Sequence, residues 1–442
     1  MNMEAPNAID KVRRLAGHTG KMFVVGVLII VCWIGSLLVM GVINERSDRQ
    51  SEADMQVGEQ WGRKQTIASP VVVVPYNKSY ISGGVTRVVR ENIYILPQDL
   101  KVVATVEPEL RSRGIFSVPV YKSRITLTGN FQAPVVSTLG IPASALVWNE
   151  ATLVLGLSDA RSLNIIEGST LGSQVLTFSP GSPDWTASEA SVSARILAPM
   201  YQNVPFAISF EMAGSKSLSF LPLGETTQVN ISAPWRAPSF VGAYLPDSEE
   251  LGKDTFSATW HISALGRSYP GLFAGTLDKH LSSMRSSAFG VNLFREVTFY
   301  TLVSRTVKYA ILFIALTFLA FYLFEIMSGT RVHPFQYLLI GASLVLFYLL
   351  LLSFSEHIVF ALAYLLSSIL TLGLVTTYSA SVLKANKRAW IIAAILAVLY
   401  AYLYAILQLE QFALLFGTLF LFVALAVVMR ATRKIEWYRE VE

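Results

Sequence analysis

Glu356 and His357 stand side by side in a stretch, Pro334 to Leu383, that holds no Lys, Arg or Asp, with Ser353 and Ser355 just before them. A carboxylate beside an imidazole can move protons near neutrality, since a free histidine titrates at about pH 6.5. The same stretch can instead be a turn, with Ser353 or Ser355 capping the helix that follows, Glu356 in that helix's first turn, and Arg305 and Lys308, ahead of an earlier apolar run, pairing with Glu356 and His357. Arg305, Lys308, Ser355, Glu356 and His357 therefore form the candidate cluster, structural or functional. Other chemistry is thinly represented. Ser381 to Lys384 fits the S-x-x-K spacing of serine acyl-enzymes, but the S-D-N and K-T-G elements that accompany it are absent. There is no G-x-S-x-G elbow, Walker A loop, H-E-x-x-H or G-x-G-x-x-G. The five histidines, His18, His261, His280, His333 and His357, show no metal-ligand spacing. His333 precedes Pro334 and reads as a helix start, and His261 alternates with an apolar strand face and reads as solvent-facing. Cys32 is the single cysteine and lies in an apolar run, so no disulfide can form within the chain. The sequons at Asn77 and Asn230 are common by chance and carry no weight. Glu325, near the end of an apolar run, reads as a carboxylate reaching back to the interface rather than an ion path. No catalytic residue, metal or cofactor is expected.

The elements that would position these residues are largely membrane spans. The chain is 53% hydrophobic and 15% charged, with a mean hydropathy of +0.49. Its apolar residues concentrate at 22–43 and after about 308, in runs of about 20 residues that match a bilayer core of roughly 30 Å. The first run follows Lys11, Arg13, Arg14 and Lys21. It is longer than a signal-peptide core of about 7–15 residues and lacks a small-x-small cleavage site, so it reads as an uncleaved signal anchor. Further spans are expected at 308–328, 335–354, 358–381, 389–407 and 412–429, six in all. Arg331, then Lys384, Lys387 and Arg388, then Arg430, Arg433, Lys434 and Arg439 fall on one side if both termini are cytoplasmic. The loops around Glu356 and Glu410 carry no Lys or Arg. The net charge of +5 thus reflects topology, and no nucleic-acid partner is expected. Tyr309, Tyr337, Tyr364 and Trp390 read as interfacial belts or helix packing.

Between the first span and the rest, the period changes. Residues 44–65 are polar and charged with scattered apolar positions, and read as a continuation of the first helix. Strand patterns follow: a β-branched run at 69–76, alternation at 124–131, then Ile208, Phe210 and Met212, then Phe256, Ala258, Trp260 and Ile262. The expected fold is an integral membrane α-helical protein carrying a large antiparallel, β-rich, sandwich-like periplasmic domain between helices one and two. The layout is 1–21 cytoplasmic, 22–43 signal anchor, 44–304 periplasmic domain, 305–429 five-helix bundle and 430–442 cytoplasmic tail. There is no internal repeat or heptad, and Gly341, Gly373 and Gly417 are isolated, so the paired helix breaks that often mark transporters are missing.

Long stretches of the chain together resemble the CreD family of bacterial inner-membrane proteins. The strongest are residues 305–325, 333–357, 235–246 and 435–438, and residues 92–116 and 158–163 add weaker matches. The resemblance implies an inner-membrane location, control by a two-component system, a role in envelope homeostasis and altered tolerance to colicins or β-lactams. It implies no catalytic residue. Three readings compete on this basis. One is a non-enzymatic envelope protein whose partners are the lipid bilayer and a periplasmic protein or cell-wall ligand. Another is a transporter or channel using the charged cluster, and the third is a membrane-embedded enzyme acting on lipid-linked material. The oligomeric state is not readable.

Overall fold

The computed structural model describes residues 8–83, 85–165, 168–182, 185, 187–293, 299–328, 332–383, 386–409 and 412–433. The topology residues Arg331, Lys384, Glu410, Lys434 and Arg439, and the stretch 435–438, lie outside them, as do the side chains of Lys11, Arg13, Arg14, Lys387 and Arg388. The chain divides into two compact units, Gln50–Glu296 and the remainder, Met1–Arg49 with Val297–Glu442.

The helices are α1 (Ala8–Trp61), α2 (Asp278–Ser286), α3 (Phe299–Lys308), α4 (Ala310–Ser328), α5 (Pro334–Ser355), α6 (Phe360–Leu383), α7 (Asn386–Gln408) and α8 (Ala413–Thr432). Gly20–Trp61, α5, and most of α6, α7 and α8 are long and apolar enough to cross a membrane, which makes five; α3 and α4 form a sixth if their bent pair is one span. That pair turns by 46° at Tyr309, where the backbone tightens to a bond from Tyr309 N–H to Thr306 O of 3.2 Å. The expected span 308–328 corresponds to α4, and if the bent pair is one span it begins earlier, at Phe299. The stretch FYTLVSRTVK mixes hydroxyls and cations into its turns, so its hydropathy hides a helix that its period reveals.

Apolar side chains face outward from the bundle. Leu365 and Ile369 of α6 are 53% and 57% exposed, and no residue of α8 from Ala413 to Arg430 is buried. The bundle interior is tight. Gly341 of α5 sits where a Cβ would collide with the Cys32 sulfur of α1 and the Phe318 ring of α4, so its lack of a side chain lets three helices approach closely.

The Gln50–Glu296 unit is built on two packed sheets. Its long strands are β1 (Gln65–Ser82), β2 (Val85–Ile95), β3 (Asp99–Arg113) and β4 (Phe116–Phe131). Shorter ones follow: β5 (Thr152–Leu157), β6 (Asn164–Ile165), β7 (Thr170–Leu171), β8 (Gln174–Val175), β9 (Phe178–Pro180) and β10 (Ala190–Arg195). The last group is β11 (Val204–Ser215), β12 (Ser217–Leu221), β13 (Thr226–Ala233), β14 (Pro238–Gly242), β15 (Ser248–Leu251), β16 (Phe256–Ser263), β17 (Leu272–Ala274) and β18 (Phe289–Leu293). One sheet runs β14-β18-β12-β1-β5-β10-β9 with β2 and β17 joined through β1, and the other β15-β16-β13-β3-β4-β11-β7-β8 with β6 on β11. Alternation sends Ile208, Phe210 and Met212, and Phe256, Ala258, Trp260 and Ile262, into one core. The sheets are not wholly antiparallel: β1 pairs parallel to β12, and β13 parallel to β3. Those partners lie far apart in the chain, and no hairpin rule reaches them. The run Val71–Val74 does not alternate because both its faces are covered. Val72 and Val74 enter the main core, while Val71 and Val73 pack in a second cluster with Trp185, Leu277 and Met284.

Gly62 ends α1 at a φ of 147°, and a Cβ there would meet the Ala213 carbonyl, so only glycine turns the chain from helix to strand at this point. Trp61 is held by a bond from Nε1 to Tyr121 O of 3.3 Å and by the Arg111 guanidinium 4.3 Å over its ring.

Candidate functional site

Glu356 is the best-connected of the sequence candidates. It caps the C-terminus of α5, and its carboxylate accepts a hydrogen bond from the Tyr300 hydroxyl at 3.2 Å and lies 3.7 Å from Arg46 Nε. Arg46 lies on α1 and is not legible from sequence, because nothing local ties it to a residue 310 positions later. Lys308 is exposed and makes no salt bridge among the described residues. Arg305 is half-buried and engaged. The cause is that a helix, α3, runs up to Lys308. Tyr300 stands level with Glu356, and Lys308 lies about eight residues, roughly 12 Å, farther along the helix.

The turn after α5 also differs in detail. The chain reverses over residues 356–359, but α6 starts only at Phe360. Ser355 is the last residue of α5, buried, with no partner for its hydroxyl among the described residues, so neither it nor Ser353, exposed on α5, caps α6. Glu356 belongs to the end of one helix rather than the first turn of the next. The α5 dipole opposes a carboxylate there, and Tyr300 and Arg46 offset that cost. His357 is exposed.

A second polar centre lies at the far end of α4. Glu325 is buried, 8% exposed, and does not reach out to the interface. Its carboxylate pairs with Lys21 of α1 and accepts from the Tyr337 hydroxyl at 3.0 Å and from Val332 N–H at 3.1 Å. Lys21 Nζ also donates to Val332 O at 2.7 Å. His333 caps α5 by accepting from Phe335 N–H at 3.2 Å while Gln336 accepts from His333 N–H at 2.9 Å.

The β-rich unit holds a cleft of about 1150 Å³, lined by the β1–β2 ribbon, by residues 139–145 and by Gly275–Lys279 at the start of α2. At its centre the Glu91 carboxylate accepts from the Tyr76 hydroxyl at 2.6 Å and from Lys78 at 2.9 Å. These bonds hold Glu91 below the usual carboxylate range, the Tyr76 bond contributing most. Burial, then the Glu91 carboxylate, push Tyr76 up to about 12. A polar knot elsewhere in the unit fixes the start of β1. Asp159 binds Arg161 in a forked pair with a contact of 2.6 Å, its N–H donates to Gln65 at 3.2 Å, and Gln65 and Ser162 both donate to Ala213 O. Among the described residues no three His, Cys, Asp or Glu side chains gather as a metal site. Ser381 bonds its own helix at Thr377 O, and His261 is exposed and 3.1 Å from Asp247.

A bundle apolar on the outside, with five or six membrane-length helices and a β-rich unit between its first and second, defines a multi-pass membrane protein. The chain belongs to the CreD family: the family described as "Inner membrane protein CreD" matches residues 18–438. It is 31% identical over 418 residues to inner membrane protein CreD of Escherichia coli strain K12, covering 93% of this chain and 91% of that one. Among solved structures, an M1 zinc metallopeptidase from Deinococcus radiodurans aligns at 14% identity over 41% of this chain and 42% of that one, with a TM-score of 0.22. A mutant form of it gives 0.23 over the same shares. Scores this low carry no argument about fold or activity.

Proposed function

We propose that this protein acts as a non-enzymatic envelope protein of the inner membrane. In this reading it has six spans, both termini in the cytoplasm, and the β-rich unit in the periplasm. The unit engages a periplasmic protein or a cell-wall component, and the protein thereby contributes to envelope homeostasis and to colicin or β-lactam tolerance, under two-component control. The placement of charge carries the reading. Glu325 and Glu356 lie at or next to the C-terminal ends of α4 and α5, each bonded to a tyrosine, and their cations Lys21 and Arg46 flank the apolar run 22–43 of α1, which supports anchoring rather than a charged path through the bundle. The cleft around Glu91 is large enough for a sizeable ligand.

Photo-crosslinking in living cells from Lys279, on the cleft wall, tests it. Capture of one defined periplasmic protein or glycan, lost when Arg90 and Asp278 are both changed to Ala, is expected; uniform or no capture overturns it. Reporter fusions after Ser328 and Ala385 should read cytoplasm and one after Glu410 periplasm, and a cytoplasmic reading at Glu410 rejects the six-span topology. The competing reading is a transporter or channel using the charged cluster. Under it, Glu356→Gln would leave a fully stable, inserted protein that has lost its phenotype, whereas the anchoring reading expects stability and phenotype to fall together.

A further inference from the structure

The hydroxyls of the helix bundle are not all satisfied alike. Thr306, Thr317 and Ser379 bond the carbonyl four residues back on their own helix, at 2.7, 2.8 and 2.6 Å. That is the simplest way to satisfy a hydroxyl where lipid offers nothing. A second group departs from it. The hydroxyls of Tyr348 and Ser355 on α5 and of Ser367 on α6 are buried and have no hydrogen-bond partner among the described residues. Thr371 and Ser368 of α6 face the Tyr400 and Tyr364 phenols within hydrogen-bonding influence, but neither pair reaches close hydrogen-bond geometry. Tyr364 donates instead to Tyr400 O on α7, at 2.7 Å.

Helix arithmetic brings most of these groups to one depth. Tyr348 lies about seven residues before the end of α5 and Ser367 about seven residues into α6, so each is roughly 11 Å in from the turn; Thr371 is roughly 16 Å in. A bilayer core of roughly 30 Å has its middle there. The Phe347 ring ties the three helices together at this level, 5.5 Å from Tyr364 and 4.8 Å from Tyr400. Tyr348 and Ser367 have no exposed surface, and none of these side chains carries a charge.

We propose that the α5–α6–α7 interface, where Tyr348, Ser367, Thr371 and Tyr400 converge, is a mid-membrane binding site for a small uncharged hydrogen-bonding guest, and that water is this guest. Hydroxyls both donate and accept, as a water requires, and a buried water takes two to four such partners. A cation is disfavoured because the site has no carboxylate. The close-packed aromatic walls exclude anything large. The site is separate from the cleft around Glu91 and from both ion pairs.

X-ray hydroxyl-radical footprinting of the full chain in lipid nanodiscs tests this, because radicals made from a bound water oxidise the side chain beside it. After correction for intrinsic reactivity, Tyr348 and Tyr400 should be oxidised at least tenfold faster than Phe318, which is as buried as Tyr348. Rates equal to that of Phe318 overturn the proposal, whatever the variants do. In Ser367→Ala with Thr371→Val, oxidation of Tyr348 should drop several-fold and the melting temperature should fall, while Thr371→Ser alone should keep both. Unchanged oxidation with a raised melting temperature would instead mark the hydroxyls as idle and sink the site.

Discussion

In the β-rich unit Trp260 has no exposed surface and the Arg124–Glu211 pair stands on the outside, with side chains 71% and 44% exposed. In the helix bundle Leu365 is 53% exposed and the Lys21–Glu325 pair is enclosed, at 20% and 10%. The same kinds of side chain exchange places because the surrounding solvent differs. Water drives apolar surface inward and screens charge at the surface. Lipid does neither, so apolar groups gain nothing by burial and every polar group must find a partner inside. The contrast explains why period-2 alternation announces the β-rich unit, while α6 shows little alternation of any kind.

The largest effect expected from this contrast is in the bundle. Lys21→Met leaves Glu325 enclosed without its cation and should cost about 3–5 kcal/mol. Adding Glu325→Leu should recover most of that loss in denaturant unfolding of the detergent-solubilised protein. A cost below about 1 kcal/mol for the single change would mean the pair behaves as a surface pair and the contrast fails. Next, Leu127→Ala, in the sandwich core, should cost about 3 kcal/mol. Leu366→Ala, facing outward at 44% exposure, should cost well under that in the same unfolding experiment. Equal losses would remove the distinction between the two solvents.

A smaller, pH-dependent effect is expected at Glu91. Its carboxylate is held below its ordinary value in the folded state. The stability it contributes is therefore present above the unfolded value of about 4.3 and is lost as pH falls through the folded value. Glu91→Gln should lower the melting temperature of the β-rich unit at pH 7, and the gap should narrow as the buffer is taken below about pH 4. A gap that persists at acid pH would assign the loss to packing. Smallest of all, Arg124→Ala should leave the melting temperature unchanged, since an exposed pair is screened.

Sequence carried the features set by local pattern. The helical continuation from Asn44 to Trp61 is one. The reversal at residues 356–359 is another, because a 50-residue apolar run has to fold back within a bilayer. The inward residues of β11 and β16 follow from alternation alone. Features set by partners distant in the chain were not legible. The pairing of Gln65 with Leu218 is parallel and long-range, and Arg46 and Tyr300 become partners of Glu356 only once three helices pack. Glu325 misled for the same reason: a lone carboxylate near a helix end looks like one reaching for water, and its partner Lys21 lies 304 residues away. Helix α3 was hidden by the hydroxyls and cations in residues 299–308.

That separation also sets a clock. Lys21 leaves the ribosome 304 residues ahead of Glu325. At about 5–20 residues per second the lysine waits roughly 15 to 60 seconds for its carboxylate. During that interval its ammonium has no partner from α4 and must stay at the water boundary, which holds the first span at one depth while the β-rich unit is being made. Closure of the pair therefore follows synthesis of the β-rich unit, and the nascent chain passes from a tethered first helix to a bundle only once α4 has been made.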